Sequence, residues 1–141
     1  MSGFLLDTNI PSELTHLKAD PRVGAWIAAQ DTASLFFSVV SVGELRRGFV
    51  MLQLGKQRSR LEQWFEAYLL PLFGDRILPV TQSIGDRWGS LDAGCRLRGV
   101  TLNTADGLIA ATALEYDLIV VTRNVKDFDC LGVTILNPWE L

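Results

Sequence analysis

Histidine is nearly absent from this chain: His16 is the only one in 141 residues. That scarcity excludes any hydrolase built on a pair of histidines. A Ser-His-Asp triad would have to use His16, which sits in a polar, turn-like stretch with no nucleophile elbow near it. Cysteine is scarce too. Cys95 and Cys130 stand far apart, with no CxxC pair and no framework of bridges, which favours a reducing, intracellular setting. No apolar run reaches about 18 residues without a charge, so no transmembrane helix and no membrane partner are expected. The first residues lack the basic stretch, apolar core and cleavage site of a secretory leader, and none is expected. Positive charge is not in excess. Thirteen basic and sixteen acidic residues give a net charge of −3, which argues against a general nucleic-acid coat protein. An enzyme with a local basic rim around an acidic centre remains open. If this chain performs hydrolysis, carboxylates and a metal are the tools left to it.

What is present suits one globular domain spanning residues 1–141. Apolar residues make up 48% and charged residues 21% of the chain, ordinary values for a folded protein. A chain of this length buries roughly 68% of the surface its unfolded form exposes, enough for one proper core.

Apolar runs alternate with helical patterns. "GFLLD" (3–7) reads as a buried strand, and Pro11 suits the first turn of a helix over 11–18. Residues 21–30 form a second helix, with Val23, Trp26 and Ile27 on one face. "SLFFSVVS" (34–41) is rich in β-formers and reads as strand two. From Ser41 the chain turns helical, with Val42, Leu45, Phe49 and Leu52 three and four apart. A further helix covers 57–73 and ends near Pro71, and "RILPV" (76–80) is strand three. Residues 82–99 and 103–117 are helical. "LIVVTRN" (118–124) is the cleanest buried strand, and 132–139 supplies a last short one. Strands that read as apolar runs between helices are the mark of a parallel sheet covered on both faces. Sites in such sheets form beyond the carboxyl ends of the strands.

Asp7 lies at such an end. Glu44 lies a turn into the helix after strand two, Asp106 in the first turn of its helix, and Asn124 and Asp127 just after strand 118–124. Each has a local explanation. Ser41 and Glu44 fit a capping box, Asp106 suits a helix N-terminus, and Asn124 and Asp7 suit a cap and an Asx-turn. Gathered above one sheet edge, the carboxylates would repel one another and rise in pKa. A divalent cation resolves that conflict, because Mg²⁺ takes oxygen ligands and keeps several waters.

"LLDTN", "SVGELRRG", "TADGLIAATA" and "TRNVKDF" followed by "LGVTILNPW" together resemble the successive motifs of the PIN-domain ribonucleases. More narrowly they resemble the VapC-type toxins of type II toxin–antitoxin pairs, in the branch related to FitB. The resemblance runs from Phe4 to Trp139. It implies a three-layer α/β/α domain with a mostly parallel sheet of four to five strands, and a metal-dependent endoribonuclease. The family's first three acids map onto Asp7, Glu44 and Asp106, which would hold Mg²⁺ or Mn²⁺. Its fourth position, often aspartate, is Asn124 here. That departure bears on a second metal and on a rival reading, a degenerate PIN domain that binds RNA or a partner without cutting. Thr8 and Thr122 match the hydroxyl residues flanking the family's site, and Asp127 would support it through a water or as a cap.

RNA contacts are expected from the basic rim of Arg46, Arg47, Arg98, Arg123 and Lys126, with Arg46 nearest in sequence to Glu44. Transfer RNA is one candidate substrate. The resemblance further implies a cognate antitoxin, a homodimer, and a higher hetero-oligomer of the two proteins. Leu61, Trp64, Phe65, Tyr68 and Leu69 on the helix after residue 56 offer an apolar surface for such a partner. Two other enzyme or regulatory classes fit less well. A haloacid-dehalogenase-type phosphatase wants an aspartate where Asn9 stands. A receiver domain wants an acidic pair after strand one and a lysine after its last strand.

Overall fold

Leu5 and Leu6 are neighbours in β1 (Gly3–Leu6), and a strand sends neighbours to opposite faces. Both are buried, at 0% and 3% exposure. The computed structural model, which describes residues 3–141, therefore has a core on each side of its sheet. Val120 and Val121 in β4 (Leu118–Val121) divide in the same way. This is why these strands read as apolar runs and not as alternating patterns.

The sheet has five strands in the order β3-β2-β1-β4-β5, where β2 is Leu35–Ser38, β3 is Ile77–Leu78 and β5 is Ile135–Leu136. Every pairing is parallel. One face carries α1 (Asn9–Leu14), α2 (Pro21–Ala28), α3 (Val39–Val50), α4 (Lys56–Trp64) and α5 (Leu70–Phe73), which contribute Ile10, Val23, Trp26, Leu45, Phe49 and Phe73 to one core. The other carries α6 (Gln82–Leu97), α7 (Thr104–Tyr116) and α8 (Val125–Phe128), which contribute Cys95, Ile109, Ala110 and Phe128. The expected three-layer α/β/α architecture is the one observed, with five strands in a wholly parallel sheet. Among the described residues no helix is long and apolar enough to cross a membrane.

The strand order fixes the site. From β1 the chain builds outward to β2 and β3, then returns to lay β4 on the other side of β1. The crevice between the carboxyl ends of β1 and β4 is therefore the topological switch point, where α/β sheets bind their ligands.

Several boundaries differ from the sequence reading. The first helix runs over Asn9–Leu14, earlier and shorter than 11–18. Strand two stops at Ser38, because the Ser38 side chain accepts a hydrogen bond from the Val40 N–H at 3.0 Å and caps α3. That cap outweighs the β-preference of Val39 and Val40. The helix at 57–73 does run to Phe73, two residues past Pro71, but not as one regular α-helix. After Trp64 it widens into a π-helical stretch, Phe65–Leu69, and continues as α5, in which Pro71 sits in the first turn. A proline has no N–H and crowds the carbonyl four residues back, and the wider stretch removes both conflicts.

Candidate active site

Asp7 follows β1 directly and extends its ladder, its N–H donating to the Val121 carbonyl at 2.9 Å. The side chain is only 5% exposed, and both of its oxygens are engaged. Oδ1 accepts from the Thr8 N–H at 2.8 Å. Oδ2 accepts from the Thr122 hydroxyl at 2.8 Å and from the Asn9 amide at 3.4 Å. Thr122 follows β4, so this contact joins the two strand ends across the switch point. The Thr122 hydroxyl oxygen in turn accepts from the Asn124 N–H at 3.0 Å and from the Asn9 amide at 3.3 Å. Thr8 holds the next acid: its hydroxyl donates to Glu44 Oε1 at 2.6 Å.

Glu44 is therefore not a helix cap. Ser38 occupies that position, Ser41 lies inside α3, and the Glu44 carboxylate reaches across to Thr8. Asp106 does lie in the first turn of α7, but Asn103 caps that helix by accepting the Asp106 N–H at 3.2 Å. Asn124 stands at the N-terminal boundary of α8 and makes no side-chain cap bond. Asp7, Thr8, Asn9, Glu44, Asp106 and Asn124 line one open concavity of about 250 Å³.

The carboxylates feel one another. Asp106 is pushed up to about 7, first by burial and then by the charges of Asp7, Asp127 and Glu44. Asp7 is also raised, chiefly by burial. The bonds from Thr122 and Thr8 oppose this, and the charges of Glu44 and Asp127 add to it. The charge of Asp127 raises both carboxyls. Asp127 does not line the acidic concavity but a neighbouring pocket with Asp106.

Among the described residues, no three His, Cys, Asp or Glu side chains stand close enough to form a finished metal cage. The donor set nevertheless fits a hard divalent cation. Such an ion takes one or two carboxylates directly and fills its remaining positions with water. Carboxylates that resist ionising together gain most from it.

The arginines of the basic rim stand in different surroundings. Arg46 is bound within the fold, donating to Glu62 at 2.8 Å and Glu66 at 2.6 Å with its guanidinium over the Phe65 ring. It ties α3 to the helix after residue 56. Arg47 is the exposed neighbour of the site, 3.8 Å from Glu44 Oε2. Arg123 is exposed and lies over the Trp139 ring at 5.3 Å, and Arg98 is exposed at the end of α6. Asn9 is the residue the sequence reading passed over. It bonds to Asp7, Thr122 and the Arg123 N–H. Its signal was its place two residues after Asp7 at a strand end.

A longer groove of about 530 Å³ starts at Thr8 and Glu44 and runs between α1 and the α3–α4 pair, past His16, Phe49, Arg60 and Leu61. Phe65 and Leu69 belong to the core, at 1% and 3% exposure. Leu61 and Trp64 are half-buried beside a further hollow, and Tyr68 is exposed.

An acidic crevice at the switch point of a parallel five-stranded α/β/α sheet is the arrangement of a PIN domain, and the PIN-domain family model matches residues 4–131. The chain belongs to that family. It is 38% identical over 137 residues to the VapC ribonuclease Y4jK of Sinorhizobium fredii, covering 97% of this chain and 98% of that protein. It is 36% identical to the toxin FitB of Neisseria gonorrhoeae, covering 97% and 99%. The crystal structure of FitAcB from Neisseria gonorrhoeae superposes with a TM-score of 0.93 at 36% identity, over 98% of this chain and 99% of that one.

Proposed function

We propose that residues 1–141 form a single metal-dependent endoribonuclease domain, the toxin of a toxin–antitoxin pair, working in the cytoplasm. The observation that carries this reading is the meeting of Asp7, Glu44 and Asp106 in one open concavity at the switch point. The relatives named a VapC ribonuclease and toxin FitB supply the reaction class and the biological setting.

Asp7, Asp106 and Glu44 would hold Mg²⁺ or Mn²⁺, in part through water. Held there, such an ion would supply a more acidic water and a positive charge near the phosphate oxygens. The chain's own residues do the positioning. Thr122 and the Thr8 N–H fix both Asp7 oxygens, so the carboxylate presents one orientation. Thr8 holds Glu44 facing Asp7. Asn124 offers a neutral amide at the rim, and Asn9 braces the two strand ends. Arg47, Arg98 and Arg123 supply phosphate contacts, which need no sequence code.

The groove that shares Thr8 and Glu44 with the acidic site suits an antitoxin segment, whose basic side chain would reach Glu44. The FitAcB structure is consistent with such a partner. A homodimer, and a hetero-oligomer with the antitoxin, complete the proposal.

Purified chain, freed of any antitoxin, should cut transfer RNA or a labelled single strand in Mg²⁺ or Mn²⁺ and not in EDTA. Asp7→Ala and Asp106→Asn should abolish cutting while keeping the fold. Asn124 favours one alternative, a PIN domain that binds without cleaving. That alternative gains if neither metal stabilises the chain and no RNA is cut.

A further inference from the structure

Asp106 has two sides. One faces the acidic concavity, and the other lines a smaller pocket of about 160 Å³. Cys95 is its buried lining residue and Leu102 is half-buried, while the exposed Thr101, Asn103, Lys126 and Asp127 bring its polar groups, Thr101 a hydroxyl that can donate or accept. We propose that this pocket receives one unpaired guanine base of the RNA, next to the acidic cleft at which the backbone would be cut. The inference rests on the ribonuclease reading and adds to it the base that the enzyme reads.

Size and place come first. The cavity lies well below the roughly 300 Å³ at which drug-sized sites begin, so it holds a single planar ring system and not a peptide or a helix. Its wall is Asp106 itself, so an occupant lies within one nucleotide of the acidic centre. RNA is read in sequence where single-stranded bases splay out and meet polar groups along their edges. A half-apolar pocket beside the cutting centre is suited to that task.

The polar groups select the base. The Asn103 side-chain oxygen is taken by the Asp106 N–H, which leaves its amide N–H groups as donors. Lys126 brings a second donor and makes no ion pair among the described residues. Asp127 brings an acceptor. The Watson–Crick edge of guanine carries a carbonyl oxygen beside two N–H donors. The carbonyl suits Asn103 and Lys126, and the two donors suit the Asp127 carboxylate. Uracil offers that carboxylate only one N–H. Adenine and cytosine would set a ring-nitrogen lone pair against it, and two facing acceptors repel rather than bond.

Two measurements test this. In the first, GMP, AMP, CMP and UMP are titrated into the chain in EDTA while amide resonances are followed. GMP should shift residues 100–103 and 126–130 and bind about tenfold tighter than AMP or CMP, the discrimination of one good polar pair. In the second, single-stranded oligonucleotides carrying each base in turn beside the cut are cleaved in Mn²⁺. Guanine should be preferred about tenfold, and Lys126→Met and Asp127→Asn should each erode that preference. Four nucleotides that bind alike, or shifts elsewhere on the chain, overturn the proposal. Selective GMP binding with no base preference in cleavage also overturns it, marking a site for free nucleotide. Selective binding at these residues with no cleavage of any RNA refutes the catalytic reading and upholds the guanine pocket. Neither binding nor cleavage refutes both.

Discussion

Asp106→Asn should stabilise the metal-free protein at alkaline pH, and the gain should vanish in acid. Its surroundings push the Asp106 carboxyl up to about 7 from an ordinary 3.8, burial first and then the charges of Asp7, Asp127 and Glu44. At about 1.4 kcal/mol per pH unit, that separation corresponds to a ceiling of about 4 kcal/mol against the ionised side chain. The group is half open to water, and screening there removes much of it. The N-terminus of α7 also favours the charged form by up to about 1 kcal/mol. A net penalty of about 1–2 kcal/mol remains. The direction follows from the protons. Between about pH 4 and 7 the folded chain keeps a proton that the unfolded chain has released, so wild-type stability is full below about 4 and falls as pH rises through 7. Asparagine carries no such penalty. In EDTA at pH 8 the variant should melt about 3–6 °C above wild type, and at pH 4 the two curves should coincide. Mn²⁺ at pH 8 should raise the wild-type melting point and leave that of the variant unmoved. Thermal unfolding followed by circular dichroism measures all of this. A variant less stable at every pH, or a gap that ignores pH, would refute the argument that Asp106 is held among mutually repelling carboxylates.

Three further perturbations follow from the same contacts. Thr122→Val removes a buried hydroxyl that donates to Asp7. It should cost about 1–2 kcal/mol in denaturant unfolding and leave the Asp7 carboxyl harder to ionise. Gly107→Ala adds a methyl 2.8 Å from the Trp88 ring. The overpacking should outweigh the gain in helix propensity by about 1 kcal/mol, lowering both stability and cleavage because Asp106 is the preceding residue. Arg46→Ala should cost about 1 kcal/mol through its lost pairs with Glu62 and Glu66 and its place over Phe65. RNA affinity measured by filter binding should not change. A tenfold loss of affinity with stability retained would restore Arg46 to the RNA surface.

The shared placement of the acids was legible from position, and the family motifs picked out which of them to group. Asp7 ends an apolar run and Asp106 opens a helix, and a parallel sheet sends both to its carboxyl edge. The strands were legible for the same reason, since burial on both faces leaves unbroken apolar stretches. What escaped depends on contacts between distant segments. Arg46 stands in the same motif as Glu44, but its partners lie 16 and 20 residues further on, and only the packing of the two helices pairs them. Asn9 stands where a phosphatase would keep an aspartate, and its worth comes from Thr122, 113 residues away. The capping box at Ser41 failed because Ser38 competes for the same helix start and wins. The stretch at Phe65–Leu69 has no local sequence signal beyond Pro71, whose effect is felt one turn earlier.

The bond from Thr122 to Asp7 spans 115 residues, and it ties the last strand laid beside β1 to the first acid made. A ribosome adds residues at about 5–20 per second, so Asp7 waits about 6–23 s before the segment that orients it exists. During that interval the nascent chain carries its acids without the geometry to use them. For a protein whose proposed activity endangers the cell that makes it, late assembly of the centre is a form of timing. Danger begins only when β4 docks, by which point α1, α3 and the groove between them have already been synthesised and can be occupied.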